Sequence, residues 1–139
     1  MNLVNHAGLY RLQAELLKMP QYEPNTEHFF HGGIYARRVW RPAGCLIVGK
    51  VHKAEHFYVC VSGRVQVNDG AGVKEIGAGE LIMSPVGTKR AVLALEDSVC
   101  MTFHVWESDE RDIDKIEADL AEEDLTGKYI SGNKLGALS

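Results

Sequence analysis

Gly49-Lys50-Val51-His52-Lys53-Ala54-Glu55-His56-Phe57-Tyr58-Val59-Cys60-Val61-Ser62-Gly63, followed after a short interval by Gly79-Glu80-Leu81-Ile82-Met83-Ser84-Pro85-Val86-Gly87-Thr88-Lys89-Arg90, reads as strand, tight turn, strand, turn. In the first stretch the run His56–Val61 is rich in β-branched and aromatic residues and stops at Gly63. In the second, Leu81–Ser84 stops at Pro85-Val86-Gly87. Outward from these, similar runs occupy Ile34–Trp40, Leu46–His52, Arg64–Val67, Val73–Ile76, Arg90–Leu95 and Val99–Trp106. Between them lie Pro42-Ala43-Gly44, Asp69-Gly70, Gly77 to Gly79 and Glu96-Asp97. Many short strands with turn residues at close spacing predict an antiparallel sandwich or barrel rather than a parallel sheet with crossover helices.

The flanks read differently. Leu9, Leu12, Leu16 and Leu17 mark an amphipathic helix that ends before Pro20, and Gln21 to Thr26 is a polar connector. This helix covers either its own domain or a neighbouring subunit, and the pattern allows both. After the strands, Ile113, Ile116 and Leu120 form a narrow apolar stripe on a second helix, with Ser108 as its expected N-cap. Gly127, Gly132 and Gly136 suggest a loose tail. We therefore expect one domain: a helical arm over 1–24, a β-barrel over 25–106, and an acidic helix with tail over 107–139.

At 139 residues and 45% hydrophobic, the chain suffices for one core and is too apolar for disorder; no run approaches the ~18 residues of a membrane span. No basic, apolar leader opens it, so Cys45, Cys60 and Cys100 read as reduced thiols and a cytoplasmic location is expected. Cys60 and Cys100 are expected to pack as small hydrophobes. The net charge of −4 argues at first against anionic partners. Its distribution reverses that reading. Glu107 to Asp124 carries ten acids and two bases, a net −8, whereas residues 1–106 carry 11 bases and 9 acids, a net +2.

The two opening stretches resemble the first and second motifs of the cupin superfamily, with the glycine that closes the first and the glycine, proline and glycine of the second in place. The resemblance spans about residues 28–106 and implies a double-stranded β-helix, or jelly roll. A metal-binding cupin offers two histidines one residue apart, a glutamate, and a histidine from the second motif. Those four places here hold Lys50, His52, His56 and Arg90. A divalent ion wants neutral imidazole or anionic oxygen and is repelled by fixed cations. No cofactor is therefore expected; a divalent metal, if one bound, would use His52, His56 and His104. A finer resemblance, carried by His52 to His56, Gly87-Thr88-Lys89-Arg90, Leu95 to Ser98 and His104, is to small cupin-like proteins encoded in tailed-phage genomes. Their group supplies little chemistry.

The replacements suggest a chemistry of their own. A barrel mouth with Lys50, His52, His56 and Arg90, edged by Lys53 and Lys89, with Tyr58 and His104 nearby, is a donor cluster for an anionic small molecule. The plainer alternative is that these cations pair with Glu55, Glu80, Glu96 and Asp97. Arg37, Arg38 and Arg41 read by default as solvated surface, with a ligand or subunit contact as the sharper option; Tyr58, Trp40, Phe103 and Trp106 could stack on a base or ring but read by default as core, and His28 with His31 is too thin for a metal site. The expectation is a non-enzymatic, homo-oligomeric binder of an anion. A phage-encoded trap for a nucleotide immune signal is the sharper form. The alternatives are a cupin enzyme, metal-dependent or working by acid/base transfer through Glu55 with His52 or His56, and a phage structural protein. No membrane, DNA or RNA polymer is expected as a partner.

Overall fold

The computed structural model describes residues 6–23 and 25–123 and, as backbone, 133–135. After α1 (Ala7–Leu16) come β1 (Thr26–His31), β2 (Ile34–Arg41), β3 (Leu46–Val48), β4 (His56–Ser62), β5 (Arg64–Asn68), β6 (Val73–Gly77), β7 (Leu81–Ser84), β8 (Ala91–Ala94) and β9 (Ser98–Val105), then α2 (Ile113–Leu120) and β10 (Asn133–Leu135). The strands form two antiparallel five-stranded sheets, β1-β2-β9-β4-β7 and β10-β3-β8-β5-β6. This is the cupin-like jelly roll. Gly63 joins β4 to β5 with φ +82°, and a Cβ there would run into the Asp97 carbonyl and the Ser98 hydroxyl. That close approach, with a left-handed backbone, is why glycine closes the first motif.

Between the sheets, Val65, Val67, Ile76 and Val92 of the second sheet pack on Tyr58, Cys60 and Cys100 of the first. Burial of each Val or Ile contributes about 1.5–3 kcal/mol. The three cysteines are buried and unbridged. Helix α1 settles its open question by packing on its own chain, with Leu9 and Leu16 against Val48 and Ala91. Helix α2 seats Ile116, Leu120 and Ala121 on Tyr35, Phe30 and Trp106. Two backbone bonds extend that seat: Lys53 N–H donates to the Leu120 carbonyl at 2.8 Å and Glu122 N–H to the Val51 carbonyl at 2.8 Å. Among the described residues, no helix is long and apolar enough to cross a membrane.

Four expectations need correction. The strand read over Leu46–His52 ends at Val48, and His52 enters from a loop, bridged singly to Ala121. Asp112, not Ser108, caps α2, accepting from the Asp114 amide at 3.0 Å; the Ser108 hydroxyl accepts from Glu110 N–H in the preceding turn. Thr26–His31, between the expected connector and the first expected strand, is itself an edge strand paired along its whole length with β2. Part of the expected loose tail, 133–135, pairs with β3; the rest of that stretch lies outside the described residues.

Candidate functional site

Strand alternation builds the site. On β2, Tyr35, Arg37, Val39 and Arg41 are buried while Ile34 and Trp40 are exposed. On β9, Cys100, Thr102 and His104 are buried, and on β4, His56, Tyr58 and Cys60. The ladder sets Tyr35 opposite His104, Arg37 opposite Thr102, Thr102 opposite Tyr58, and His56 opposite Ser84. These side chains therefore form layers across the inner face, the imidazole layer nearest the end where α2 sits.

Arg90, just before β8, organises that layer. Its Nη1 donates to His56 Nε2 at 2.9 Å and to the Ser84 hydroxyl at 3.1 Å, its Nη2 faces His52 Nε2 at 3.5 Å, and its guanidinium lies 4.4 Å over the Tyr58 ring. These contacts assign the tautomers. His56 accepts at Nε2, so its proton is on Nδ1, which donates to the Ala54 carbonyl at 3.0 Å. His52 Nδ1 then donates to His104 Nε2 at 3.3 Å, leaving the His104 proton on Nδ1. The three imidazoles stack on one another, with ring centroids 4.1–5.4 Å apart, and Tyr35 stacks on His104.

All three rings are neutral near pH 7. Burial, then the Arg90 charge, holds His56 down to about 4; burial, then His56 and Arg90, holds His104 down to about 3. Burial with Arg90 keeps His52 well below the usual imidazole range. Burial also pulls Arg90 down to about 10, which leaves it charged. The rings thus act as acceptors for a guanidinium, where the sequence suggested extra donors.

Beneath them lie two cations that the sequence reading left on the surface. Arg37 and Arg41 are buried, while their neighbour Arg38 is half-exposed and paired with Glu27 at 2.9 Å. The signal was available: alternate residues of one strand share a face, so Arg37 and Arg41 go with Tyr35 and Val39. Glu117, the buried acid of α2, and Glu23 act on Arg37. On Arg41 and Arg90 the strongest influences after burial are Tyr58, thiols and other arginines, with no carboxylate among them. Arg41 Nε and Nη1, the Tyr58 hydroxyl and the Thr102 hydroxyl are buried without a hydrogen-bond partner. Glu55, Glu80, Glu96 and Asp97, the alternative counter-ions, are exposed; Glu80 and Asp97 accept from the Gly77 and Ala43 amides instead.

The other candidates are dispersed. Lys89 is fully buried but turned to α1, where its Nζ donates to Gln13 Oε1 and the Gly49 carbonyl, both at 2.9 Å, beneath the Tyr10 ring. Lys53 is exposed and donates to the Ala118 carbonyl near the end of α2. Lys50 is fully buried after β3. A cleft of about 540 Å³ is walled by Ile34, Phe57, Met83, Phe103 and Val105, with Glu55 beside them, and reaches His56, Ser84 and His104 of the imidazole layer.

The ligand nitrogens of His52, His56 and His104 lie within 4.8 Å of one another, close enough to be drawn onto one ion. Arg90 occupies the His56 lone pair and faces that of His52, and no carboxylate joins them. A dication about 4 Å from a guanidinium is repelled by roughly 8 kcal/mol at an effective dielectric near 20. As arranged, the cluster does not fit a resident divalent metal; the guanidinium holds the position of the cation.

Solved structures share the fold at low identity. A conserved protein with a double-stranded β-helix domain from Klebsiella pneumoniae matches at TM-score 0.55 and 16% identity over 79% of this chain and 94% of its own. A cupin superfamily protein from Desulfitobacterium hafniense matches at TM-score 0.55 and 8% identity over 68% and 87%. The DMSP lyase DddQ from Ruegeria pomeroyi matches at TM-score 0.54 and 16% identity over 63% and 49%. No protein-family model matches the chain, and no curated protein does. At such identities the likeness shows the fold alone.

Proposed function

We propose that the barrel interior captures a small anion, held by Arg41, Tyr58 and Thr102 with Arg37 and Arg90 on either side. The observation that carries the reading is a buried guanidinium, Arg41, whose Nε and Nη1 have no partner beside two equally unpartnered hydroxyls. A buried charge without a carboxylate partner costs several kcal/mol unless neighbouring groups offset it, and a bound anion does so more fully than the Tyr58 hydroxyl and Cys100 thiol beside Arg41. Arginine's planar fork selects carboxylate, phosphate or a related oxyanion. Glu117 is then the tethered competitor at Arg37, displaced as the ligand enters beneath α2. The nucleotide-trap form of the reading draws on the resemblance to phage-encoded proteins and on the aromatic rings around the cluster.

Equilibrium dialysis of the whole chain against carboxylates, inorganic phosphate, sugar phosphates and cyclic and linear nucleotides tests this. We expect retention of at least one class at micromolar protein and its loss in Arg41→Met. No retention by the wild-type chain overturns the reading. Recovery of the retained anion unchanged separates capture from the enzymatic alternative, for which the neutral imidazoles beside Arg90 provide acid/base groups.

The opposite face of the same sheet supports an oligomer. Phe29, Ile34, Trp40, Phe57, Val61, Leu81, Met83 and Val105 are all exposed there. We read this as the seat of a second copy of the chain, since a patch of this kind is uncommon on a monomer.

A further inference from the structure

We infer that Arg90 is the residue that keeps metal out of this barrel, and that without its guanidinium His52, His56 and His104 hold a divalent ion of the zinc or cobalt type. The inference does not depend on the identity of any anion. It rests on the spacing of the ring nitrogens. In a tetrahedral site with metal–nitrogen bonds near 2.1 Å, two imidazole nitrogens stand roughly 3.4 Å apart. His52 Nδ1 and His104 Nε2 already stand 3.3 Å apart, and moving the His52 proton from Nδ1 to Nε2, the nitrogen Arg90 now faces, frees both for one ion. His56 must move closer, its ligand nitrogen being within 4.8 Å of both. The obstacle is Arg90, whose Nη1 is 2.9 Å from His56 Nε2 and whose Nη2 is 3.5 Å from His52 Nε2.

Position 104 is what makes the cluster more than a remnant of the four motif positions. His104 comes from β9, outside both motifs, and restores the third imidazole after Lys50 and Arg90 have replaced two ligands. A site of three imidazoles leaves one coordination place open, the arrangement of zinc centres that bind water or substrate. Arg90 is thus the switch position between an anion-binding barrel and a metal-binding one. Its Ser84 and Tyr58 contacts hold the guanidinium over the imidazoles rather than letting it swing away.

The test uses the full, tag-free chain and cobalt(II) and zinc(II) alone. Wild type, Arg90→Ala, Arg90→Gln and the Arg90→Ala/His104→Ala double variant are titrated at neutral pH. Binding is followed by calorimetry and by the visible absorption of a tetrahedral cobalt–imidazole site. We expect no such absorption from wild type and one equivalent of metal in each single variant. Their binding should be tighter by roughly 100-fold or more, a fraction of the guanidinium–dication repulsion. The site should vanish in the double variant. Wild type binding cobalt as tightly as Arg90→Ala overturns the proposal. So does a folded Arg90 variant that binds none, or binding that survives loss of His104. Should both single variants unfold, cobalt must restore their circular dichroism; failure to do so also overturns it.

Discussion

The two sheets of this barrel obey opposite rules. In the β10-β3-β8-β5-β6 sheet, Val65, Val67, Ile76 and Val92 face inward. Outside, Arg64 pairs with Glu75 across the β5–β6 ladder at 2.6 Å. That is the ordinary amphipathic pattern of an antiparallel sheet. In the β1-β2-β9-β4-β7 sheet the pattern is largely inverted. All seven buried polar side chains that lie on described strands belong to it: Arg37, Arg41, His56, Ser84, Ser98, Thr102 and His104. Among the described residues, eight exposed large apolar side chains lie on its strands, against one, Val73, on the strands of the other. A sheet that puts cations inside and aromatics outside gives up stability on both faces. One sheet carries the fold; the other is the one to which the proposed function assigns a ligand.

Acid should break this comparison most severely. The pKa values of His52, His56 and His104 are lowered in the fold, so the unfolded chain takes up protons near pH 6.5 that the folded chain refuses until about 4 for His56 and 3 for His104. Stability is therefore intact above pH 6.5 and lost as pH falls through that window. Each imidazole contributes up to about 1.4 kcal/mol per pH unit. Urea denaturation at pH 7, 5 and 4 should show a drop comparable with the whole stability of a small domain, and His104→Gln should flatten the slope. An unchanged midpoint between pH 7 and 4 would refute the assignment of neutral rings.

Exchanging charge between the sheets sharpens the contrast. Val67→Lys places a cation inside the apolar sheet and should cost roughly 3–5 kcal/mol. Arg41→Met removes one from the inverted sheet and should raise stability by roughly 1–4 kcal/mol without ligand. Thermal melts of both report the sign, and destabilisation of both would mean that the two inner faces are alike. The smallest effect on stability is expected outside. Phe57→Glu, on the exposed face, should change the unfolding free energy by about 0.5 kcal/mol or less yet shift sedimentation from dimer to monomer. A wild-type chain that sediments as a monomer would remove the partner from this account.

The inversion also explains what could be read from the sequence. Glycines and the proline between short apolar runs marked the turns, since those residues are demanded locally, and the barrel followed. His52, His56, Arg90 and Tyr58 were legible because the motif spacing points at them. Lys89 was not, since a long stem lets a charge from the same loop turn to Gln13 on α1. For Arg37 and Arg41 the default of a solvated surface fails: an arginine-rich strand is normally solvated, and only the alternation with Tyr35 and Val39 contradicts that. Glu117 was hidden among nine other acids of its segment. Its burial depends on how α2 docks, which no local pattern encodes.

That docking has a kinetic consequence. The turn before α2 and the helix itself carry exposed Asp109, Asp112, Asp114 and Asp119, and the chain just beyond carries Glu122 and Glu123, all fastened beside the His52 loop. On the proposed capture of an anion at Arg41, the ligand would diffuse through a negative field before it meets a positive one. Screening removes the outer field first, because buried charges feel dissolved salt far less than exposed ones. Most charged binding sites lose association rate as ionic strength rises. This barrel should gain it, and a long polyanion, held off along its whole length, should gain more than a small one.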